Sequence, residues 1–346
     1  MSANSAGRKA SGERRLVVAA SPHVRSPVTV KKIMWAVVIA LLPALGGSVY
    51  FFGLKALWLV ALSVVSAVVF DTLAQLAFGR KLTPADGSAV ITGLLLAYNL
   101  PPGVSWWVPV VGAAFAMIVV KQFFGGLGHN FINPALAARA FLVVSWPTQM
   151  TSMWLAPQGG SLSGLDAVSG ATPLALVRRA AEYVSPDSVA EVVRQANSMT
   201  MLKRLFLGNV GGCLGETSAL LLLIGAALLI AVRVIDWRIP AAYLGTVLGL
   251  SLILPANPMK PWFHLFSGGI ILGAFFMATD YVTSPVTAKG RVIFGIGCGI
   301  ITMLIRLYGG YPEGCSYSIL LMNVATPLID RFTRPRLFGA LPRKKK

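Results

Sequence analysis

The stretch Asp166-Ala167-Val168-Ser169-Gly170-Ala171-Thr172-Pro173 is polar and small, and it lies in the one long non-membrane loop of a very apolar chain. It ends in an alcohol, Thr172, followed at once by Pro173. Threonine is a favoured helix N-cap and proline a favoured first helical residue, so the pair predicts a helix start at Thr172. Unpaired backbone N–H groups and the helix dipole at such a start favour an anion. By local physics alone this is an ordinary capped helix running into Leu174, Leu176 and Val177.

Other chemistry-bearing residues are sparse. Asp71 and Arg139 are the ionisable residues deepest in apolar segments, where an unpaired charge costs several kcal/mol. Each is expected to be paired or to snorkel to the cytoplasmic face, or else to serve an ion path or cofactor. Asp280 stands at a helix end, as a cap or an ion ligand. Cys213, Cys298 and Cys315 show no metal-binding spacing and too few thiolates for an Fe–S cluster, so they read as packing thiols. His23, His129 and His264 form no ligand motif and read as loop or interface residues. The loop Gly125-Gly126-Leu127-Gly128-His129-Asn130-Phe131-Ile132-Asn133-Pro134 is a tight Gly/Asn turn. It lacks the Lys-Ser/Thr end of a phosphate loop. Catalytic triads, zincin motifs and dinucleotide fingerprints are absent, and no metal site is expected.

The elements that must position these residues are membrane helices. Of the 346 residues 55% are hydrophobic and only 12% charged, with mean hydropathy +0.72. That is a polytopic membrane protein by composition. The net charge of +18 therefore marks cytoplasmic loops rather than nucleic-acid binding. No signal peptide is expected, since the first apolar run is too long and carries no cleavage site. Apolar segments run roughly over 33–52, 56–78, 87–100, 106–120, 134–150, 218–232, 240–254, 265–279, 292–305 and 317–329. Only the first two clearly reach the ~20 residues of a full span. Gly and Pro interrupt the others, which leaves room for a re-entrant pair. With the N-terminus inside, the cytoplasmic segments, Lys121 among them, hold 21 of the 30 Lys and Arg, while short external loops hold 3. Those three are Lys55, Lys260 and Arg306. This positive-inside bias puts Thr172 outside, after the fifth span.

An internal repeat refines the layout. Ile91–Asn99 parallels Ile271–Thr279, and Lys121–Gly126 parallels Arg306–Gly310, at a nearly constant offset of about 180 residues. An odd number of spans per half makes the repeat inverted, a layout common in proteins that move ions, with sites near broken helices at the repeat interface. The expected fold is an all-α polytopic membrane protein of about ten transmembrane helices in two inverted five-helix repeats. Residues 1–31 form a cytoplasmic arm, 32–150 and 218–330 the two repeats, 151–217 an extracytoplasmic loop and 331–346 a basic cytoplasmic tail. Within the loop, helices are expected from Pro173, after Ser185-Pro186, and over Met199–Leu207. The last is amphipathic, broken by Gly211–Gly215 and suited to a membrane surface. Glu216-Thr217-Ser218 is expected to cap the sixth span.

In this setting Asp166-x-x-Ser169-Gly170-Ala171-Thr172 resembles the flavinylation motif of the RnfD and NqrB family of membrane electron-transfer subunits. Gly125–Pro134, Thr279–Pro285 and Gly309–Gly314 look like signatures of the same family. The resemblance runs from Ser21-Pro22-His23 to Pro327-Leu328-Ile329-Asp330, and the short arm and compact length favour the Rnf branch. It implies FMN esterified through its phosphate to Thr172, with Asp166, Ser169, Gly170 and Ala171 completing the cofactor-binding motif. Such an ester keeps one negative charge, which suits a helix start, and Arg178 and Arg179 would add attraction. The small residues before Thr172 leave room for the ring and for a modifying enzyme. The resemblance also implies a subunit of an ion-translocating ferredoxin:NAD+ oxidoreductase in a bacterial inner membrane, not an enzyme on its own. Its partners would be other Rnf subunits, among them a second covalent-flavin subunit, together with a flavin transferase and membrane lipid. A noncovalent riboflavin is a further expectation by analogy. The coupling ion, Na+ or H+, is left open. The alternatives are an NqrB-like subunit feeding a quinone, and a passive channel or secondary transporter on the same inverted repeat.

Overall fold

The computed structural model describes residues 28–157, 172–177, 186–254, 259–310 and 313–335, and every regular element among them is helical. A backbone in hydrocarbon must satisfy its own N–H and C=O groups, which a helix does within one segment. Helix α1 (Val30–Phe52) starts at Thr29, whose hydroxyl accepts from the Lys32 N–H at 3.3 Å. Gly53 alone, at φ 73°, turns the chain into α2 (Leu54–Ala77). Then come α3 (Ser88–Tyr98), α4 (Trp107–Ala114) with its π-helical continuation Phe115–Gln122, α5 (Pro134–Ser145) and α6 (Pro147–Thr151). Residues 173–177 make one helical turn, followed by α7 (Pro186–Ala196) and α8 (Met199–Leu207). The second half comprises α9 (Ala219–Ala231), α10 (Arg238–Ile253), α11 (Pro261–Phe266) and α12 (Ile270–Leu272), which runs into the π-helical Gly273–Met277. It closes with α13 (Ala288–Tyr308) and α14 (Cys315–Thr333).

Each of the ten expected apolar segments carries helix, but 265–279 is broken at Ser267–Gly269 and the lengths differ from expectation. Among the described residues three helices, not two, are long and apolar enough to cross a bilayer by themselves: α1, α2 and α13. Helix α13 begins four residues before its apolar run because the Thr287 hydroxyl caps the Gly290 N–H at 3.0 Å. Helix α3, with 11 residues, rises only ~16 Å, about half the hydrocarbon thickness. Its end at Asn99 meets the end of the π-helical Gly273–Met277. The Asn99 amide donates to the Met277 sulfur at 3.7 Å, and Asn133 donates to the Met277 carbonyl at 3.4 Å. The two stretches aligned by the internal repeat thus end against one another.

Helices in lipid associate through close packing at small residues rather than through apolar burial. Helix α2 packs on α3, where a Cβ at Gly93 would lie 2.7 Å from the Val64 backbone, and the Ser63 hydroxyl donates to the Gly93 carbonyl at 2.7 Å. Helices α10 and α13 meet likewise, with Gly295 against the Ile239 carbonyl and Gly299 against Tyr243. The first helices of the two halves, α1 and α9, cross with Gly225 against the Ala40 backbone, and α5 touches α14. Outward, α2 exposes Leu54, Leu57, Trp58, Val65, Val69, Leu73 and Leu76, an apolar stripe suited to lipid.

The loop helices form as expected. Helix α8 spans the expected Met199–Leu207 and is closed by Gly208, in the left-handed conformation at φ 109°, ahead of the Gly211–Gly215 break. The sixth apolar helix, α9, is capped by the Ser218 hydroxyl, while Glu216 turns inward and is buried. Helix α8 buries Leu205 in a small cluster with Leu174, Ala196, Met259 and Phe263, leaving Met199 and Leu207 exposed.

Candidate functional site

Thr172 sits where the Thr-Pro pair places it, at a helix start. Its Oγ1 accepts from the Ala175 N–H at 3.2 Å, and its carbonyl accepts from the Leu176 N–H at 2.9 Å. The residue is only 5% exposed. Beside it opens a cleft of about 310 Å³ walled by Pro173, Leu176, Met201, Val210 and Gly211, with Arg204 and Asn209 as its polar groups. Asp166, Ser169, Gly170 and Ala171, with Arg178 and Arg179, lie outside the described residues.

The Thr172 turn rests on a buried charge cluster that sequence reasoning grasps only in part. Arg139 projects from α5 and donates to the Asn99 side-chain oxygen at 2.7 Å and to the Glu313 carboxylate. Its other neighbour is Glu216, at 3.6 Å. The expectation that Arg139 is paired holds, yet both partners come from loops: Glu216 precedes α9 and Glu313 precedes α14. Arg306, expected in an external loop, is instead buried on α13 and donates to the carbonyls of His264 and Ser267 at 2.7 and 2.8 Å. His264, expected in a loop or interface, is buried on α11 as well. The pieces converge at Gly268, in the left-handed conformation at φ 66°. A Cβ there would stand 3.0 Å from Leu174, 3.2 Å from the Arg306 guanidinium and 3.7 Å from Glu313. Two guanidiniums and two carboxylates balance formally, which is how charges survive in a dry interior. Cys213, Glu216 and Glu313 bring ligand atoms within 4.8 Å of one another, but the Arg139 guanidinium already lies among them, 3.9 Å from the Cys213 sulfur. All three cysteines are buried and free, as expected of packing thiols.

A second buried network lies on the other side of the bundle. Lys121, on the π-helical turn, binds the Asp71 carboxylate at 3.0 Å and the Ser88 hydroxyl at 2.8 Å. Gln122 and Gln75 donate to the two Asp71 oxygens at 2.7 and 3.2 Å. Asp71 is therefore paired, as expected. Its partner Lys121, expected in a cytoplasmic loop, is instead buried, on the π-helical continuation of α4. The network borders a cavity between the halves, with Ile91, Leu95, Phe275 and Phe276 as apolar walls and Asn130, Asn133 and Asp280 as polar points. Asp280 caps no helix. It accepts from the Val282 N–H and the Thr283 hydroxyl at 3.4 and 3.1 Å, in a turn. Asn133 caps α5 through the N–H groups of Ala135 and Leu136.

A family model described as the NQR2, RnfD, RnfE family matches residues 17–339. The chain is 52% identical over 335 residues to the D subunit of the Na(+)-translocating ferredoxin:NAD(+) oxidoreductase complex of Acetobacterium woodii, covering 96% of this chain and 98% of that one. It is 43% identical over 330 residues to the D subunit of the proton-translocating ferredoxin:NAD(+) oxidoreductase complex of Clostridium ljungdahlii, covering 93% and 96%. To the D subunit of the ion-translocating oxidoreductase complex of Stutzerimonas stutzeri it is 42% identical over 341 residues, covering 92% and 94%.

Proposed function

The chain belongs to the NQR2, RnfD, RnfE family, and from that premise we propose that it is the D subunit of an ion-translocating ferredoxin:NAD+ oxidoreductase complex, carrying electrons through FMN phosphoester-linked to Thr172. The observation that supports this most is local: the Thr172 hydroxyl caps a helical turn beside a cleft with apolar walls and one arginine. Bound there, FMN would supply one- and two-electron redox chemistry.

The residues fit such a group. Forming the ester replaces the hydroxyl hydrogen and leaves Oγ1 able to accept from the Ala175 N–H, so attachment need not break the cap. Arg204 contributes positive charge for an ester phosphate, while Pro173, Leu176, Met201 and Val210 offer apolar surface to a planar ring. Because Thr172 is nearly enclosed, a flavin transferase must meet this turn in an opened state or before it packs. Beneath it, the Arg139–Glu216–Glu313 cluster ties the middle of α5 to the loops before α9 and α14.

Electrons would arrive from a neighbouring subunit that carries its own covalent flavin and leave to other redox partners in a bacterial inner membrane. The termini would face the cytoplasm and Thr172 the opposite side. A second, noncovalent flavin such as riboflavin would follow from the family resemblance alone. Relatives named for Na+ and for protons both match nearly the whole chain, and the coupling ion would be Na+ or H+.

The test is a denaturing gel under ultraviolet light, after coexpression with a flavin transferase. A fluorescent band that disappears in Thr172→Ala supports the reading. A band that survives moves the attachment elsewhere, and no band at all favours a transporter without flavin.

A further inference from the structure

Where α9 gives way to α10, the chain builds a positively charged cavity that the redox reading leaves unused. The cavity is about 450 Å³ and is lined by Arg233, Asp236, Trp237, Arg238, Tyr281 and Arg291. Three guanidiniums face one carboxylate. Arg238 and Arg291 both bind the Asp236 Oδ2, at 2.9 and 2.5 Å. Arg233 makes no ion pair with any described residue, and it is the one described non-glycine residue with positive φ, at 57°. That conformation closes the end of α9, where the Val234 N–H reaches the Leu229 carbonyl at 2.9 Å, and it sets Arg233 on the wall of the cavity.

The surroundings are those of a bilayer boundary. Trp237 is 59% exposed, and the Arg238 guanidinium lies 5.6 Å from its ring centroid. Exposed tryptophan is typical of the membrane–water interface. Ile230 and Val232, at the end of α9, expose apolar surface beside the arginines.

We propose that this cavity binds the headgroup of an anionic phospholipid, with phosphate at Arg233, Arg238 and Arg291 and acyl chains along the Ile230–Val232 face. Three positive charges less one negative leave two unbalanced, which matches a lipid with two phosphates, such as cardiolipin, better than one with a single net charge. A zwitterionic headgroup would return a cation to the cavity. A soluble anion would gain nothing from the apolar face or the exposed indole. Basic pockets between membrane helices take such headgroups through charge-assisted hydrogen bonds.

Native mass spectrometry of the purified, delipidated full-length chain tests this, with cardiolipin, phosphatidylglycerol, phosphatidylcholine and inorganic phosphate titrated separately. One cardiolipin should be retained per chain, phosphatidylglycerol less tightly and phosphatidylcholine not at all. Arg233→Gly suits the φ of this position, so its melting temperature should not fall, while its cardiolipin affinity should drop about fivefold, the worth of one arginine near a membrane surface. Arg233→Lys should restore most of the loss. Equal retention of phosphatidylcholine, or unchanged affinity in Arg233→Gly, overturns the proposal. Competition by inorganic phosphate at matched concentration would mark a soluble-anion site instead. Unchanged lipid binding with a neighbouring subunit lost from the Arg233→Gly complex would assign the face to a protein partner.

Discussion

One oxygen at Thr172 is assigned both a structural and a chemical part, and a single substitution separates them. Asparagine caps helices about as well as threonine does but offers no alcohol for an ester. Thr172→Asn should therefore keep the melting temperature of the unmodified chain and lose the fluorescent band. Thr172→Ala should lose the band and also ~1 kcal/mol of stability. Asp71 and Lys121 allow a sharper stability test. Their side chains are 2% and 4% exposed, and each is hydrogen-bonded to further polar groups. Lys121→Met leaves a buried carboxylate without its cation and should cost ~3–5 kcal/mol. Pairing it with Asp71→Leu should recover much of that in thermal melts in detergent, because a well-packed apolar pair removes both desolvation penalties. Asp71 is legible in the sequence as a charge in an apolar run, and its partner is not. Fifty positions separate the two, and nothing local to Lys121 marks it as buried.

At the scale of elements, the link between α9 and α10 is held by one carboxylate serving two arginines. Burial alone would raise the Asp236 carboxyl. The Arg238 backbone N–H and the guanidiniums of Arg291 and Arg238 outweigh it and hold the group below its ordinary value. A carboxylate depressed in the folded state stabilises the fold above its unfolded pKa of about 4, and that contribution is lost as pH falls through the lower folded value. Wild type should thus melt above Asp236→Asn at pH 6, and the gap should close below about pH 4. Thermal melts in detergent across that range check it. A gap that widened in acid would mean that Asp236 is not the charged partner of Arg238 and Arg291. The π-helical stretches also belong to this scale. Phe115–Gln122 and Gly273–Met277 each add a residue to the turn, as π-helices often do at functional sites, and so rotate the residues beyond them. Hydropathy locates both helices but carries no signal for this change of pitch, and Lys121 lies on the first of these stretches.

For the whole molecule, the proposed orientation makes an accessibility pattern the measurement of choice. With Thr172 outside and the termini inside, a cysteine at Lys203 should react with a membrane-impermeant maleimide from outside intact cells. One at Lys289 should react only after permeabilisation. The native thiols are all buried and should stay silent. The reverse pattern would invert the topology and place the Thr172 loop in the cytoplasm. Sequence offsets of about 180 residues already align Asn99 with Thr279 and Lys121 with Arg306. In the folded chain the first pair of segments ends together at Met277, and the second pair supplies a buried cation to each polar network. The offset pairs these residues. It does not show what each one touches.

The sequence by itself determined the solvent, the helices, their order and the motif at Thr172. These follow from properties read within a few residues: hydropathy over a span, a capping hydroxyl before proline, positive charge beside an apolar run. Only the tertiary structure decided that Glu216 and Glu313 flank Arg139, that Lys121 completes Asp71, and that three arginines share a cavity with Asp236. The physical reason is distance along the chain. A buried charge must find its counter-charge, but local physics does not specify which of the few available supplies it, and that choice is made when the helices pack.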